Sequence, residues 1–234
     1  MYYDLHIHSA LSPCGDELMT INNIFNMAYI KGLELISITD HNSLKQQHYL
    51  QQIIEHDILK GKIDFVHGVE LQSKEEVHIL AYFLKGTPLK PIQAWIDDHL
   101  IKQLNDPDFY GNQVIFDEFD NIIDEEKHLL LSSLDLDIFE IVEAIHRFDG
   151  IAILAHVMAK KFGIYEVYHD IPANLNYDGI EVTCLKELRD LKKLCPDVND
   201  EYVFFNSDAH NLELINEPEN QLDQEKFYQL WRKK

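Results

Sequence analysis

Short apolar segments that each stop at a polar residue most constrain what this chain can fold into. Leu33 to Thr39 runs into Asp40-His41-Asn42, Ile63 to Val69 stops at Glu70, and Gly150 to Ala155 stops at His156. Val77 to Leu84, Gly179 to Thr183 and Val203 to Phe205 are of the same kind, the last leading into Asn206-Ser207-Asp208-Ala209-His210. Segments this short and this apolar read as strands covered on both faces, as in a parallel sheet flanked by helices. Helical spacing lies between them: Met19 to Ile30 with Thr20 as N-cap and Gly32 as stop, Ser43 to Leu59, Leu185 to Leu194, and Gln224 to Trp231. Tyr2 to His8 makes a seventh strand. The pattern predicts an α/β barrel, shorter than the ~250 residues of an eight-stranded one. One connection breaks the alternation. The stretch between Glu70 and Val77 is too short for a crossover helix, so it predicts a hairpin that sets Glu70 beside His78.

Residues 88–149 differ in character, with 15 acidic side chains against 4 basic ones and turn signals at Asn105-Asp106-Pro107-Asp108. Leu129 to Leu136 and Ile138 to Ile145 carry apolar residues at helical spacing. Residues 88–134 are expected to form an acidic, mainly helical insertion capping the barrel rim. A helix over about 135–149 then rejoins the main fold, within a single domain 1–234.

Lys and Arg total 20 against 41 Asp and Glu, a formal net charge of -21. That balance argues against a protein that grips long nucleic acid, which needs clustered cations for phosphate neutralisation. A small phosphorylated substrate held through bound cations remains compatible. Cys14, Cys184 and Cys195 lack C-x-x-C spacing, so reduced thiols and a cytoplasmic location are expected. No apolar run approaches the ~18–20 residues that span a bilayer, so no membrane association is expected. The start of the chain shows no basic segment followed by an apolar one, so no signal peptide is expected. The oligomeric state is left open.

Ligand-capable residues recur at the strand ends. His6 and His8 are two apart in a strand and share a face, as do Asp208 and His210 in their extended segment. Asp40, His41, Glu70, His78 and His156 complete the set. A lone H-x-H reads equally well as a polar-faced surface strand. Histidine or carboxylate at six of seven strand ends reads as a metal centre of Zn, Mn or Fe, since imidazole plus carboxylate suits those ions. His48, His56, His99, His128, His146 and His169 have no paired ligand and read as ordinary surface histidines. His67, three residues before Glu70, points the other way.

As a set and in this order, six segments resemble the polymerase-and-histidinol-phosphatase family of metal-dependent phosphoesterases. They are His6-Ile7-His8-Ser9, Thr39-Asp40-His41-Asn42, Gly68-Val69-Glu70, Val77 to Tyr82, Leu154-Ala155-His156 and Ser207-Asp208-Ala209-His210. The resemblance implies a distorted seven-stranded (β/α)7 barrel holding two to three divalent metals. One would be bound by His6, His8, Glu70 and Asp208. A second would share Glu70 with His78 and His156. A third would take Asp16, His41 and His210. Asp40 would orient a ligand imidazole, and Glu70, Asp208 and His210 would stand closest to the chemistry. Two ions about 3.5–4 Å apart lower the pKa of a water between them, which suits hydrolysis of a small phosphate ester. Relatives commonly follow the Leu-Ala-His motif with Asp-Arg. Here Met158-Ala159 stand in those positions, with Lys160 or Lys161 as the available phosphate contact. The competing readings are histidinol-phosphate phosphatase and a non-catalytic metal-binding module.

Overall fold

The computed structural model describes residues 1–56, 58–196 and 198–233. Chain order is β1 (Tyr3–Ile7), α1 (Ile21–Lys31), β2 (Leu35–Ile38), α2 (Leu50–Ile54), β3 (Asp64–Phe65), β4 (His67–Gln72), β5 (His78–Phe83), α3 (Leu89–His99) and α4 (Pro107–Tyr110). There follow β6 (Val114–Phe116), β7 (Ile122–Glu125), α5 (Ile138–Arg147), β8 (Ile151–Leu154), α6 (Ile164–Tyr168), β9 (Gly179–Val182), α7 (Leu185–Leu194), β10 (Val203–Phe205) and α8 (Gln224–Gln229).

Among the described residues the strands form a parallel sheet β1-β2-β3, a five-stranded sheet β10-β9-β8-β5-β4, and a separate hairpin β6-β7. This is a mixed α/β fold. The ladders do not close into the continuous seven-stranded barrel expected from the sequence. The two larger sheets meet instead at isolated bridges, Ile7 with Ala209 and His41 with Glu70. The reason is local: after β1, β2 and β10 the chain leaves extended geometry to present polar side chains. Asn42 and Asp208, with φ of 46° and 52°, mark two of those departures. The predicted hairpin is present as antiparallel β4-β5, which pairs Gln72 with His78.

Helix α1 follows its sequence signals. Thr20 accepts from the Asn23 N–H, Gly32 ends the helix at φ 85°, and Ile21, Ile24, Phe25 and Ala28 are buried. Each large apolar side chain buried this way contributes roughly 1.5–3 kcal/mol. Helix α5 opens on a reciprocal capping box between Asp137 and Glu140. The expected helix over 43–59 is instead a 3-10 segment, Lys45–Tyr49, followed by short α2. Gln46 and Gln47 are buried there as clamps, with Gln47 Nε2 donating to the Ile38 and Gly68 carbonyls at 2.7 and 3.1 Å.

Residues 88–134 are less helical than expected, holding α3, short α4 and the β6-β7 hairpin. The β-branched Val114, Ile115, Ile122 and Ile123 favour strands. The Asp117 carboxylate closes their turn by accepting from the Phe119 and Asn121 N–H groups, both at 2.9 Å. Residues 129–136 form no helix, because their N–H groups go to tertiary partners. Leu129 donates to the Gln103 carbonyl and Leu134 to the Gln72 carbonyl, each at 2.8 Å. No helix among the described residues is long and apolar enough to cross a membrane.

Candidate metal centre

β1 and the residue just after it supply the first two donors. His6 and His8 lie two apart in extended chain, so their rings project together, and their Nε2 atoms are 3.1 Å apart. Both are fully buried, and the carboxylate they face is Glu70 in β4. Glu70 Oε1 lies 2.7 Å from His78 Nδ1, 3.2 Å from His156 Nε2 and 3.4 Å from His6 Nε2. Its Oε2 lies 2.9 Å from His41 Nδ1 and 3.4 Å from His8 Nε2. Asp208 Oδ1 closes the opposite side, 3.2 Å from His8 Nε2 and 3.3 Å from His6 Nε2. His210 stacks on His8 with ring centroids 4.4 Å apart.

Four side chains here hang from left-handed backbone that side-chain-bearing residues rarely adopt: Asn42, His156 (φ 26°), Phe162 (φ 60°) and Asp208. Such conformations cost about 1–3 kcal/mol each and persist where surrounding bonds over-determine them. Asn42 donates from its side chain to the Leu130 and Ser132 carbonyls at 2.9 Å. The His156 N–H donates to Glu181 at 2.8 Å, and the Phe162 carbonyl accepts from the His78 N–H at 3.0 Å.

A second layer turns the rings. His6 Nδ1–H donates to the Glu181 carboxylate, 3.1 Å from each oxygen, and the Asn206 side chain donates to the same group at 2.6 Å. Ser12 donates to Asp40 at 2.7 Å, which leaves its oxygen to accept from His8 Nδ1 at 3.0 Å. Asp40 therefore reaches the His8 ring through Ser12 rather than by direct contact. His78 Nε2 bonds Gln72 Oε1 at 3.1 Å, and His210 Nδ1 bonds the Asp208 carbonyl at 2.7 Å. These bonds free His6 Nε2, His8 Nε2, His78 Nδ1 and His210 Nε2 for a ligand. Glu181, Ser12 and Gln72 escaped the sequence reading. Glu181 had a signal: it is the charged residue inside the apolar run 179–182.

Burial raises the Glu70 carboxyl, but His78, His6 and His41 outweigh it and hold it well below the usual range. Burial likewise lowers His6, and the Glu181, Asp208 and Glu70 carboxylates outweigh it and lift His6 well above its ordinary value. Burial prevails at His8, pushed well below its ordinary value, and at His78, lowered to about 4. The imidazoles are thus driven in opposite directions, His6 toward its protonated form and His8 and His78 toward the neutral form in which a ring nitrogen can bind a cation.

Three overlapping trios bring one donor atom each within 4.8 Å of the others: His6-His8-Glu70, His41-Glu70-His78 and His8-His41-His210. His41 Nδ1 and Glu70 Oε2 are buried without a hydrogen-bond partner, although they lie 2.9 Å apart. Imidazole and carboxylate donors converging on orphaned atoms fit a divalent metal ion.

Asp16 does not join them. It is exposed, its carboxylate accepts from the Leu18 N–H at 2.8 Å, and its own N–H donates to the His210 carbonyl at 2.8 Å. Cys14, from the same turn, lines one cavity with His41 and His210. Burial raises the Cys14 thiol, but those two rings outweigh it and bring it to about 7. The donors open into a cavity of about 420 Å³ whose walls include Leu131, Ala159, Lys161, Phe162 and Thr183. The Phe162 ring lies flat on His78, with centroids 4.4 Å apart. Lys161 reaches this cavity; Lys160 is exposed and does not line it.

No family model matches the chain, and neither does any curated protein. Solved structures do. The lesion-specific endonuclease PfuEndoQ from Pyrococcus furiosus aligns over 90% of this chain and 48% of its own, at 22% identity and a TM-score of 0.62. This chain therefore spans about half the length of that enzyme. Endonuclease Q has also been solved with a 27-mer duplex bearing an abasic lesion at the active site, at 22% identity and a TM-score of 0.61. A candidate metal-dependent phosphoesterase from Bifidobacterium adolescentis covers 97% of this chain and 94% of its own, at 14% identity and a TM-score of 0.65. An amidohydrolase from Chromobacterium violaceum, with bound sulfate, covers 96% and 93% at 18% identity and a TM-score of 0.62. These likenesses define the fold. Metal-dependent phosphoesterase, the class implied by the sequence resemblance, is among the structures that share it.

Proposed function

We propose that this chain is a metal-dependent phosphoesterase of the polymerase-and-histidinol-phosphatase family, hydrolysing a small phosphorylated molecule. One observation carries the reading: a single buried carboxylate, Glu70, faces five imidazoles at 2.7–3.4 Å. His6, His8, Glu70 and Asp208 would hold one divalent ion, Glu70, His78 and His156 another, and His41 and His210 contribute to a third, the ions being Zn, Mn or Fe. Bound divalent ions supply positive charge to phosphoryl oxygens and lower the pKa of water. The same reading takes the two bridged sheets as a distorted seven-stranded barrel capped by residues 88–134, in one cytoplasmic domain.

The protein's own groups have distinct work. Glu181, and Asp40 through Ser12, keep His6 and His8 turned toward Glu70. Burial raises Asp208, but His6 and His8 outweigh it and keep its carboxyl well below the usual range, so it serves as a fixed negative group. His210, about a third exposed, stands where an incoming phosphate would pass, and its Nδ1–H is spent on the Asp208 carbonyl. Lys161 offers the mouth a point charge, and Leu131, Ala159 and Phe162 form its apolar walls.

The likeness to Endonuclease Q favours a second reading, a phosphodiester in damaged duplex DNA. The net charge of -21 weighs against it. The test is metal analysis of the purified protein with a panel of phosphate monoesters, diesters and an abasic duplex. Bound metal with turnover of small esters supports the proposal. Bound metal with the whole panel intact sinks it in favour of a binding module.

A further inference from the structure

Three apolar side chains line the cavity beside the donors, and each is tied to a donor or to its neighbour in the chain. The Phe162 carbonyl accepts from the His78 N–H at 3.0 Å, and the two rings are stacked at an interplanar angle of 4°. The Ala159 N–H donates to the His156 carbonyl at 2.8 Å. Leu131 lies between the Leu130 and Ser132 carbonyls, both bonded at 2.9 Å by the side chain of Asn42, the residue after His41. The wall is thereby placed in register with the imidazoles. Its polar neighbours are already engaged. Gln72 spends Nε2 on Ser133 at 2.9 Å and Oε1 on His78 at 3.1 Å, and Glu70 and Asp208 face imidazoles. Among the described residues lining the cavity, that leaves Cys14, Thr183 and Lys161.

We propose that this wall is the leaving-group site, and that it selects phosphate esters of apolar, uncharged alcohols, aryl-bearing ones foremost, over sugar and amine-bearing esters. The inference rests on the phosphoesterase reading above. With the phosphoryl group held at the donors and Lys161, the rest of an ester in a cavity of about 420 Å³ lies against Leu131, Ala159 and Phe162. In hydrolysis the water oxygen bonds to phosphorus and the P–O bond to the leaving group breaks. The leaving oxygen departs as an alcohol, carrying a proton from the water. An apolar group gains by leaving water for such a wall, whereas hydroxyls give up hydrogen bonds that the wall does not return. An ammonium group meets Lys161 and no unspent carboxylate.

The test compares phenylethyl phosphate, glycerol 1-phosphate and 2-aminoethyl phosphate on the metal-loaded full chain. All three release primary alcohols, so their intrinsic reactivity is matched. kcat/KM should favour phenylethyl phosphate over glycerol 1-phosphate by about tenfold or more, with the aminoethyl ester poorest. Calorimetry with the uncleavable 3-phenylpropylphosphonate and 3,4-dihydroxybutylphosphonate should give the same order without turnover. Phe162→Asn removes the ring and suits the left-handed backbone there, and should cut the phenylethyl-to-glycerol ratio about tenfold. Leu131→Asn should lower the same ratio from the other segment of the wall. Turnover that favours the glycerol or aminoethyl ester overturns this inference alone, as does a fall in both variants that is equal for both esters. Bound metal with no ester hydrolysed and no phosphonate bound overturns the phosphoesterase reading as well.

Discussion

At the floor of the cavity His6, His8 and His78 each have one ring nitrogen tied by a hydrogen bond, to Glu181, Ser12 and Gln72. At the mouth Lys161 is exposed and His210 partly so, and Phe162 is held through its backbone and one ring face. The floor is built from strands and from carboxylates buried in them, Glu70 and Glu181. The mouth is built from loops after β8 and β10, with left-handed backbone at His156, Phe162 and Asp208. The difference separates two tasks. A rigid floor sets where cations can sit, and a looser mouth sets what can approach them.

The sharpest way to break that division is Glu70→Ala. Activity should fall to background, and metal analysis should show more than one equivalent lost, because both carboxylate oxygens face imidazoles. Loss of a single equivalent would contradict the shared role of Glu70. Glu181→Gln should weaken metal binding by roughly 10–100-fold in a chelator competition, since it loosens His6 without removing a ligand. Asp40→Asn should cost about tenfold by the same measure. Combined with Ser12→Ala it should add little further, because Asp40 reaches His8 through that hydroxyl. Full additivity would break the relay. At the mouth, Lys161→Ala should raise KM a few-fold and leave kcat and metal content unchanged, the loss of an exposed charge being worth roughly 0.2–1 kcal/mol.

An effect on stability rather than on activity lies behind the floor. His67 sits three residues before Glu70, and burial, with His48 and Lys85 nearby, lowers it to about 4. The unfolded chain takes up this proton near pH 6.5 and the folded chain only near 4. Stability should therefore decline as pH falls from 6.5 toward 4. His67→Gln should flatten that slope in urea midpoints read across the interval.

The floor was legible in the sequence and much of the mouth was not. Strand ends announce themselves by an apolar run stopping at His41, Glu70 or His156, and two-residue spacing places His6 beside His8. Glu181 was hidden because a carboxylate inside an apolar strand reads as an interruption until His6 is set against it. The turn at Asp16 was harder to read, because the backbone bond from its N–H to the His210 carbonyl, which no local pattern reports, leaves its carboxylate on the exposed side. The same holds for residues 129–136, whose helical spacing yields to pairing with Gln72 and Gln103.

Glu70 touches rings contributed by residues as far apart as 6 and 156, and Asp208 closes the ring from the far end of the chain. No two adjoining segments make the whole centre, so it is complete only when the ends of β1, β2, β4, β5, β8 and β10 have come together. Contacts of such long sequence separation are slow to assemble. On dilution from denaturant, capacity to take up metal should rise with the last tertiary phase and lag the helical signal. Metal uptake then becomes a clock for completion of the fold.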